Sequence, residues 1–294
     1  IVARFAPSPT GFLHTGSLFA TLIAWKFPNQ TNGVFFTRLE DTDTKREIEG
    51  SGEELLRQLK AFGIVPDEGY MGTYEKGNYG PYKQSERKEI YELNFVKCKI
   101  KDKICVLVKS GVGKVNAARA TQILIDNFKP DYIVNVGVAG GLNPMLSIGD
   151  IVIGETLVQH DFDITAFGHA KGYIPGVGEK IYADDYLVKK IEEAIGNQEE
   201  KVYKYEKGVI ASGDIFCTAI PMRDKIYAKF NAECVEMEGA AIGQVCSLCN
   251  VPFVVIRSIS DTPNGENEVT YEKFIKLASE RCANILKDFV KTIE

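Results

Sequence analysis

Long apolar runs, basic stripes and a disulfide framework are all missing from this sequence. No run of about 18 uncharged apolar residues occurs, which argues against a membrane-spanning helix. No basic segment followed by an apolar one opens the chain, so the expectation is a cytoplasmic protein with no membrane partner. Lys and Arg number 35 against 40 Asp and Glu, a net charge of −5. The balance is −1 over residues 1–91 and −4 over residues 92–294, so neither part has the basic surface that nonspecific nucleic-acid binding demands. The seven cysteines, at 98, 105, 217, 234, 246, 249 and 282, are odd in number and irregularly spaced. They fall mostly in apolar segments and read as reduced thiols. The lone C-x-x-C, Cys246 to Cys249, has no second ligand pair, so no metal is expected.

What is present is a globular composition, 45% apolar and 26% charged, over 294 residues, enough for about two ordinary domains. "IVARF" and "GVFFTRLE" read as short strands, with a helical apolar spacing in "GSLFATLIAWKF" between them. This predicts a β-α-β unit whose helix opens at Gly16-Ser17, where backbone N–H groups suit a phosphate. An amphipathic helix follows, with Ile48, Leu55, Leu56, Leu59 and Phe62 on one face, and then a loop rich in Gly, Pro and Tyr.

"RFAPSPTGFLHTGS", "FTRLEDTD" and "GPYKQSERKEIY", in this order over about 90 residues, resemble the start of the catalytic domain of a glutamyl-tRNA synthetase, a class I enzyme. The resemblance implies that His14 and Gly16 belong to an ATP signature, that Arg4 and Ser8 hold the glutamate carboxylate, and that Glu40 holds its amino group. A bidentate guanidinium suits a carboxylate, and a buried carboxylate suits an ammonium. Enzymes of this class close the ATP site with a lysine-bearing KMSKS-type loop further along the chain. No such motif occurs here, so these five residues read as vestigial, ATP as a cofactor only if the fragment were functional, and tRNA as an improbable partner.

From residue 92 the pattern changes to another α/β protein. "KICVLVKSG", "DYIVNVGVAGGL", "GDIVIGE", "KGVIASGD" and "VPFVVIRSISD" read as buried strands. Helical spacing occupies "GKVNAARATQILIDNF", "DDYLVKKIEEAI", "VEMEGAAIGQVCSLC" and "TYEKFIKLASERCANILKDFV". Such alternation predicts a mostly parallel sheet with helices on both faces, with the site at strand C-termini. "GVAGGL" lacks the G-x-G-x-x-G spacing of a dinucleotide fold, and "SGVGKV" lacks the Ser/Thr of a P-loop.

The set "VKSGVGKVNAA", "NVGVAGGL", "HDFDITAFGHAKGYIPG", "SGDIFC", "VEMEGAA" and "RSISD" resembles 5′-methylthioadenosine/S-adenosylhomocysteine nucleosidase over residues 92–294. The resemblance implies that Asp261 protonates adenine N7 with Ser260 beside it, that Phe216 stacks on the base, and that the backbone of Cys217 reads its edge. Glu238, with Met237 beside it, would hold the ribose hydroxyls. Val112, with Phe167, His169 and Pro175 from a neighbouring subunit of a homodimer, would line the alkylthio pocket. Val138, Ala139, Gly140, Glu236 and Tyr271 complete the expected substrate-binding set, with Asp261 and Glu238 as the catalytic pair and no cofactor. Cleaving an N-glycosidic bond gives an oxocarbenium-like ribose and an adenine leaving group, so an acid at the base and a carboxylate near the sugar fit that chemistry.

The sequence departs from that family at its start. The first central strand, of Ile-Gly-Ile-Ile-Gly-Ala-Met type, and the acidic residue after it that activates water are absent. The expected organisation is therefore a partial synthetase-like Rossmann unit at 1–91 joined to a nucleosidase-like domain at 92–294 lacking its first strand. A gene fusion, an engineered chimera and an artefact of sequence assembly all fit that pattern. The expected activity is adenine release from thioadenosines, impaired by loss of the water-activating carboxylate. The alternatives are a ligase fragment and a nonproductive fusion. The missing strand should leave an apolar sheet edge, for which "IVARF" or "GVFFTRL" are candidate occupants.

Overall fold

A computed structural model describes residues 2–11, 13–43, 45–77, 80–198, 203–262 and 267–293, without the side chains of 267–277. The chain divides into two compact units, Ile1–Lys99 with Ile104–Val108, and Ile100–Lys103 with Lys109–Glu294.

In the first unit, β1 (Val2–Phe5), α1 (Thr15–Gln30) and β2 (Val34–Thr37) form the expected β-α-β unit. β1 and β2 are parallel, with Val2 opposite Val34 and Phe5 opposite Thr37. α1 is capped by His14, whose ring accepts from the Ser17 amide. The next helix, α2 (Ser51–Ala61), buries Leu55, Leu56 and Leu59. It is shorter than the spacing suggested: it begins after Gly50, at φ 77°, and is capped at Phe62, and Ile48 and Phe62, beyond its two ends, are exposed. β3 (Glu68–Tyr70) and β4 (Glu75–Lys76) extend the sheet in the order β1-β2-β3-β4. A small core of Phe35, Leu39, Leu56, Leu59, Ile64, Tyr70 and Tyr82 lies against it. β5 (Arg87–Ile90), β6 (Leu93–Ile100) and β7 (Lys103–Val108) make a separate three-stranded sheet.

Two expectations are corrected here. "KICVLVKSG" supplies β7, in that small sheet, with Ile104 and Leu107 exposed, so it is not a buried strand of the large one. Nor do "IVARF" and "GVFFTRL" fill the gap left by the missing strand. They pair with each other, because the crossover helix α1 returns the chain beside β1 and satisfies both ladders locally.

The second unit contains α3 (Lys114–Phe128), β8 (Ile133–Gly141), β9 (Ile151–Gln159), β10 (Ile181–Tyr182), α4 (Asp185–Gly196), β11 (Tyr205–Ser212), α5 (Ile220–Phe230), β12 (Ala232–Glu236), α6 (Gly239–Leu248), β13 (Phe253–Asp261) and α7 (Asn267–Thr292). Its six-stranded sheet runs β10-β9-β11-β12-β8-β13, and β9 also pairs with β13, so five of the strands close a ring. The long ladders, β9 with β11 and β8 with β13, are parallel; the antiparallel ladders are short. Alternate strand residues point to two cores. Val152, Leu157, Val255 and Ile259 pack with Ala117 of α3 and Ala240, Ile242 and Cys246 of α6. Ile151, Ile153, Val254 and Ile256 pack with Leu187 and Ile191 of α4 and Ile285 and Phe289 of α7. Helices therefore cover both faces, as the near-continuous apolar strands require.

The weak place in the ring is β8. One side pairs with β13 from Ile133 to Gly140. On the other side, among the described residues, only Gly140 and Gly141 pair, with β12. Among the described residues, that side of β8 is therefore an open edge over most of its length.

Candidate active site

The C-terminal ends of β8, β12 and β13 and the segments after β7 and β11 converge on a cavity of about 400 Å³. Val112, Val138, Ala139, Gly140, Phe216, Cys217, Glu236, Met237, Glu238, Ser260 and Asp261 all line it. At the end of β13 the pairing slips between Ile259 and Asp261, a bulge of the kind that re-aims side chains beside sites. Ser260 Oγ donates to Asp261 Oδ1 at 2.8 Å.

Two arginines that the sequence reading did not single out hold this cavity together. Arg223, from α5, pairs through Nη2 with Asp261 Oδ2, and its Nε donates to the Cys217 carbonyl at 2.9 Å. One buried guanidinium thus joins the two groups assigned to the purine base. Arg257, in the middle of β13 and 2% exposed, pairs with Glu236 Oε2 and donates from Nη2 to Asn135 Oδ1 at 2.6 Å. Arg257 was legible in principle: a lone charge inside "VPFVVIRSISD" must find a buried partner. Arg223 sits in a helix of mixed pattern and carries no such signal.

Glu236 is the last residue of β12, not the start of a helix as the sequence suggested. Its Oε2 accepts from the amides of Glu238 and Gly239 at 3.0 and 2.8 Å, and Ser212 Oγ donates to its Oε1. Burial pushes its carboxyl up, but Arg257, Ser212 and the Gly239 amide more than offset this and hold it below the usual carboxylate range. Glu238 stands at the N-cap position of α6 and accepts from the Gly113 amide at 2.8 Å. Burial raises its carboxyl above the ordinary range. Gly113, at φ 93°, turns the chain from the cavity loop into α3. Lys114 then anchors that corner, its Nζ 2.7 Å from Asp161 Oδ1 and its amide 2.8 Å from Asp214 Oδ1.

Phe216 is 63% exposed and Val112 69%, so the mouth of the cavity is apolar and open. Phe167, His169 and Pro175 are exposed and are not among the lining residues. His169 stacks on Tyr173, with ring centroids 4.5 Å apart, while Ile174 is buried in its own unit. The side chain of Tyr271 lies outside the described residues.

In the first unit, Arg4 sits on β1 and Ser8 in the loop after it, both exposed, as are His14 and Gly16 at the start of α1. Glu40, half-buried, follows β2, its amide bonded to the Pro7 carbonyl at 2.8 Å. Arg4 and Glu40 both lie near Arg38, whose pKa is lowered by burial and then by the charges of Arg87 and Arg4.

The model of the phosphorylase superfamily matches residues 62–291. The chain belongs to that superfamily. The class I tRNA synthetase (E and Q) catalytic domain matches residues 1–102, so the two matches overlap between 62 and 102. Among curated relatives, the 5′-methylthioadenosine/S-adenosylhomocysteine nucleosidase of Geobacillus sp. (strain WCH70) is 41% identical over 190 residues, 64% of this chain and 81% of that one. The nucleosidase of Anoxybacillus flavithermus is 42% identical over 189 residues, with the same shares. The crystal structure of the Neisseria meningitidis nucleosidase with methylthio-immucillin-A gives a TM-score of 0.67 at 35% identity, covering 70% of this chain and 89% of that one. The Helicobacter pylori futalosine hydrolase gives 0.67 at 33% identity, covering 71% and 88%.

Proposed function

We propose that this chain hydrolyses the N-glycosidic bond of 5′-alkylthioadenosines such as 5′-methylthioadenosine and S-adenosylhomocysteine, releasing adenine. The supporting observation is the meeting of Asp261, Ser260, Phe216, Cys217, Met237 and Glu238 around one cavity, in a chain 41% identical to a nucleosidase of that name. Phe216 stacks on the base, and the Cys217 backbone and Asp261 face its polar edge. Asp261 relays a proton from solvent to N7 as the bond between C1′ and N9 breaks. Glu238 holds the ribose hydroxyls and lies beside the positive charge that develops on the sugar. Water adds to C1′ and gives its proton to base or solvent. The chemistry needs no cofactor.

Turnover is slow in this reading. Of the cavity carboxylates, Glu236 and Asp261 are engaged by arginines, and Glu238 is committed to the ribose. A positioned base is worth about 10²–10⁴-fold, and among the described residues no other carboxylate lines the cavity. The working form is a homodimer in the cytoplasm, with Phe167, His169 and Pro175 closing the partner's alkylthio pocket; sedimentation at micromolar concentration tests it, and a monomer would count against it. Adenine release from 5′-methylthioadenosine, with Asp261→Asn as control, tests the activity. We expect weak release lost in the variant; release unchanged by Asp261→Asn would overturn the assignment.

A further inference from the structure

The hairpin of β6 and β7 carries a pair of cysteines outside the proposed site. β6 ends at Ile100 and β7 begins at Lys103, so a two-residue turn joins them, with Lys101 at φ 54°. That turn puts Ile100 opposite Lys103, Lys99 opposite Ile104 and Cys98 opposite Cys105. Directly opposed residues of an antiparallel pair lie about 4.5–5.5 Å apart at Cα, within the roughly 4.4–6.8 Å that a disulfide spans. Both thiols are free and half-buried. They interact: burial raises both, and Cys105 raises Cys98 further.

Among the remaining cysteines Cys246 and Cys249 also interact, but Cys246 is fully buried. Cys217, Cys234, Cys246 and Cys282 are buried, and burial pushes the Cys246 thiol up to about 12. Cys249 is half-buried and donates to Gln122 Oε1 at 3.6 Å.

We propose that Cys98 and Cys105 form a reversible cross-strand disulfide, a modification site for small-molecule disulfides such as oxidised glutathione. One cysteine thiolate attacks a sulfur of the oxidant, forming a mixed disulfide and releasing one small thiol. The opposed cysteine then attacks the protein sulfur of that bond and releases the second. Both cysteines are oxidised, the small disulfide is reduced to two thiols, and the two protons end on those thiols. Because the thiolate is the nucleophile and burial disfavours it, the rate rises about tenfold per pH unit below the thiol's titration.

The test is incubation of the native full chain with oxidised glutathione between neutral and alkaline pH, followed by non-reducing peptide mapping. The expected result is a Cys98–Cys105 link, two thiols lost per chain, reversal by a small thiol reductant, and the stated pH dependence. Cys98→Ser and Cys105→Ser should each halt at a glutathione adduct on the surviving cysteine, because the resolving thiol is gone. Adducts on both cysteines without closure, links through Cys249 or between chains in place of this one, or no reaction at these positions while the denatured chain reacts would each overturn the proposal.

Discussion

In the unit that includes residues 109–294 most charged side chains of the site are inside, whereas in the first unit most motif residues are outside and Glu40 is half-buried. Arg223, Arg257, Glu236 and Asp261 are all at most 6% exposed, and each finds its counter-charge. Arg4, Ser8, His14 and Gly16 stand exposed, and α1 shows Phe19, Ile23 and Phe27 to solvent. Both units kept their sequence signatures. The second unit, with helices on both faces of its sheet, gathers its motif residues around a cavity, because desolvation of charges requires packing from both sides.

The strongest way to break this contrast is to remove one member of a buried pair. Arg257→Met leaves Glu236 uncompensated and should cost about 3–5 kcal/mol, measured by denaturant unfolding; a loss under about 1 kcal/mol would mean that the pair behaves like a surface one. The same pair sets a pH response. Glu236 is depressed in the folded state, so the stability it contributes is present above its unfolded value and lost as pH falls through the folded one. Wild type should therefore lose stability on acidification more steeply than Glu236→Gln, as read by thermal unfolding across the acidic range.

A smaller effect belongs to the mouth of the cavity. Phe216→Ala should weaken binding of adenine by about 1–3 kcal/mol, the worth of a base–aromatic stack, in titration calorimetry, with little change in stability because the ring is largely exposed. The smallest belongs to the first unit. His14→Ala removes the cap on α1 and should cost about 1 kcal/mol, seen in the fluorescence of Trp25, the single tryptophan, while adenine affinity stays the same. Glutamate-dependent pyrophosphate exchange should be absent, and its appearance would dissolve the contrast altogether.

The legible parts of this chain were those where one residue type repeats. β9, β11 and β13 stand out as apolar runs, and α4 and α7 as periodic ones. β12 was missed because "AECVE" is five residues long and charged at two of them, and its Glu236 is affordable only beside Arg257. β7 was recognised as a strand but placed in the wrong sheet, since pairing partners are a property of the whole chain. Asp261, Phe216 and Glu238, which line the cavity, carry a motif signal, whereas Arg223 does not, because its contact with Asp261 exists only after α5 folds over the end of β13.

The open side of β8 has a further consequence for how this protein meets water. In a strand laddered on one flank, successive amides alternate between a bonded partner and none. Between Ile133 and Ala139, deuterium should therefore enter every second position quickly and the others slowly, a one-in-two rhythm within the ring that forms the floor of the cavity. Strands of this kind normally exchange last. Here a segment deep in the topology would keep time with the surface, and the alternation would record, amide by amide, which flank of β8 is laddered and which is open.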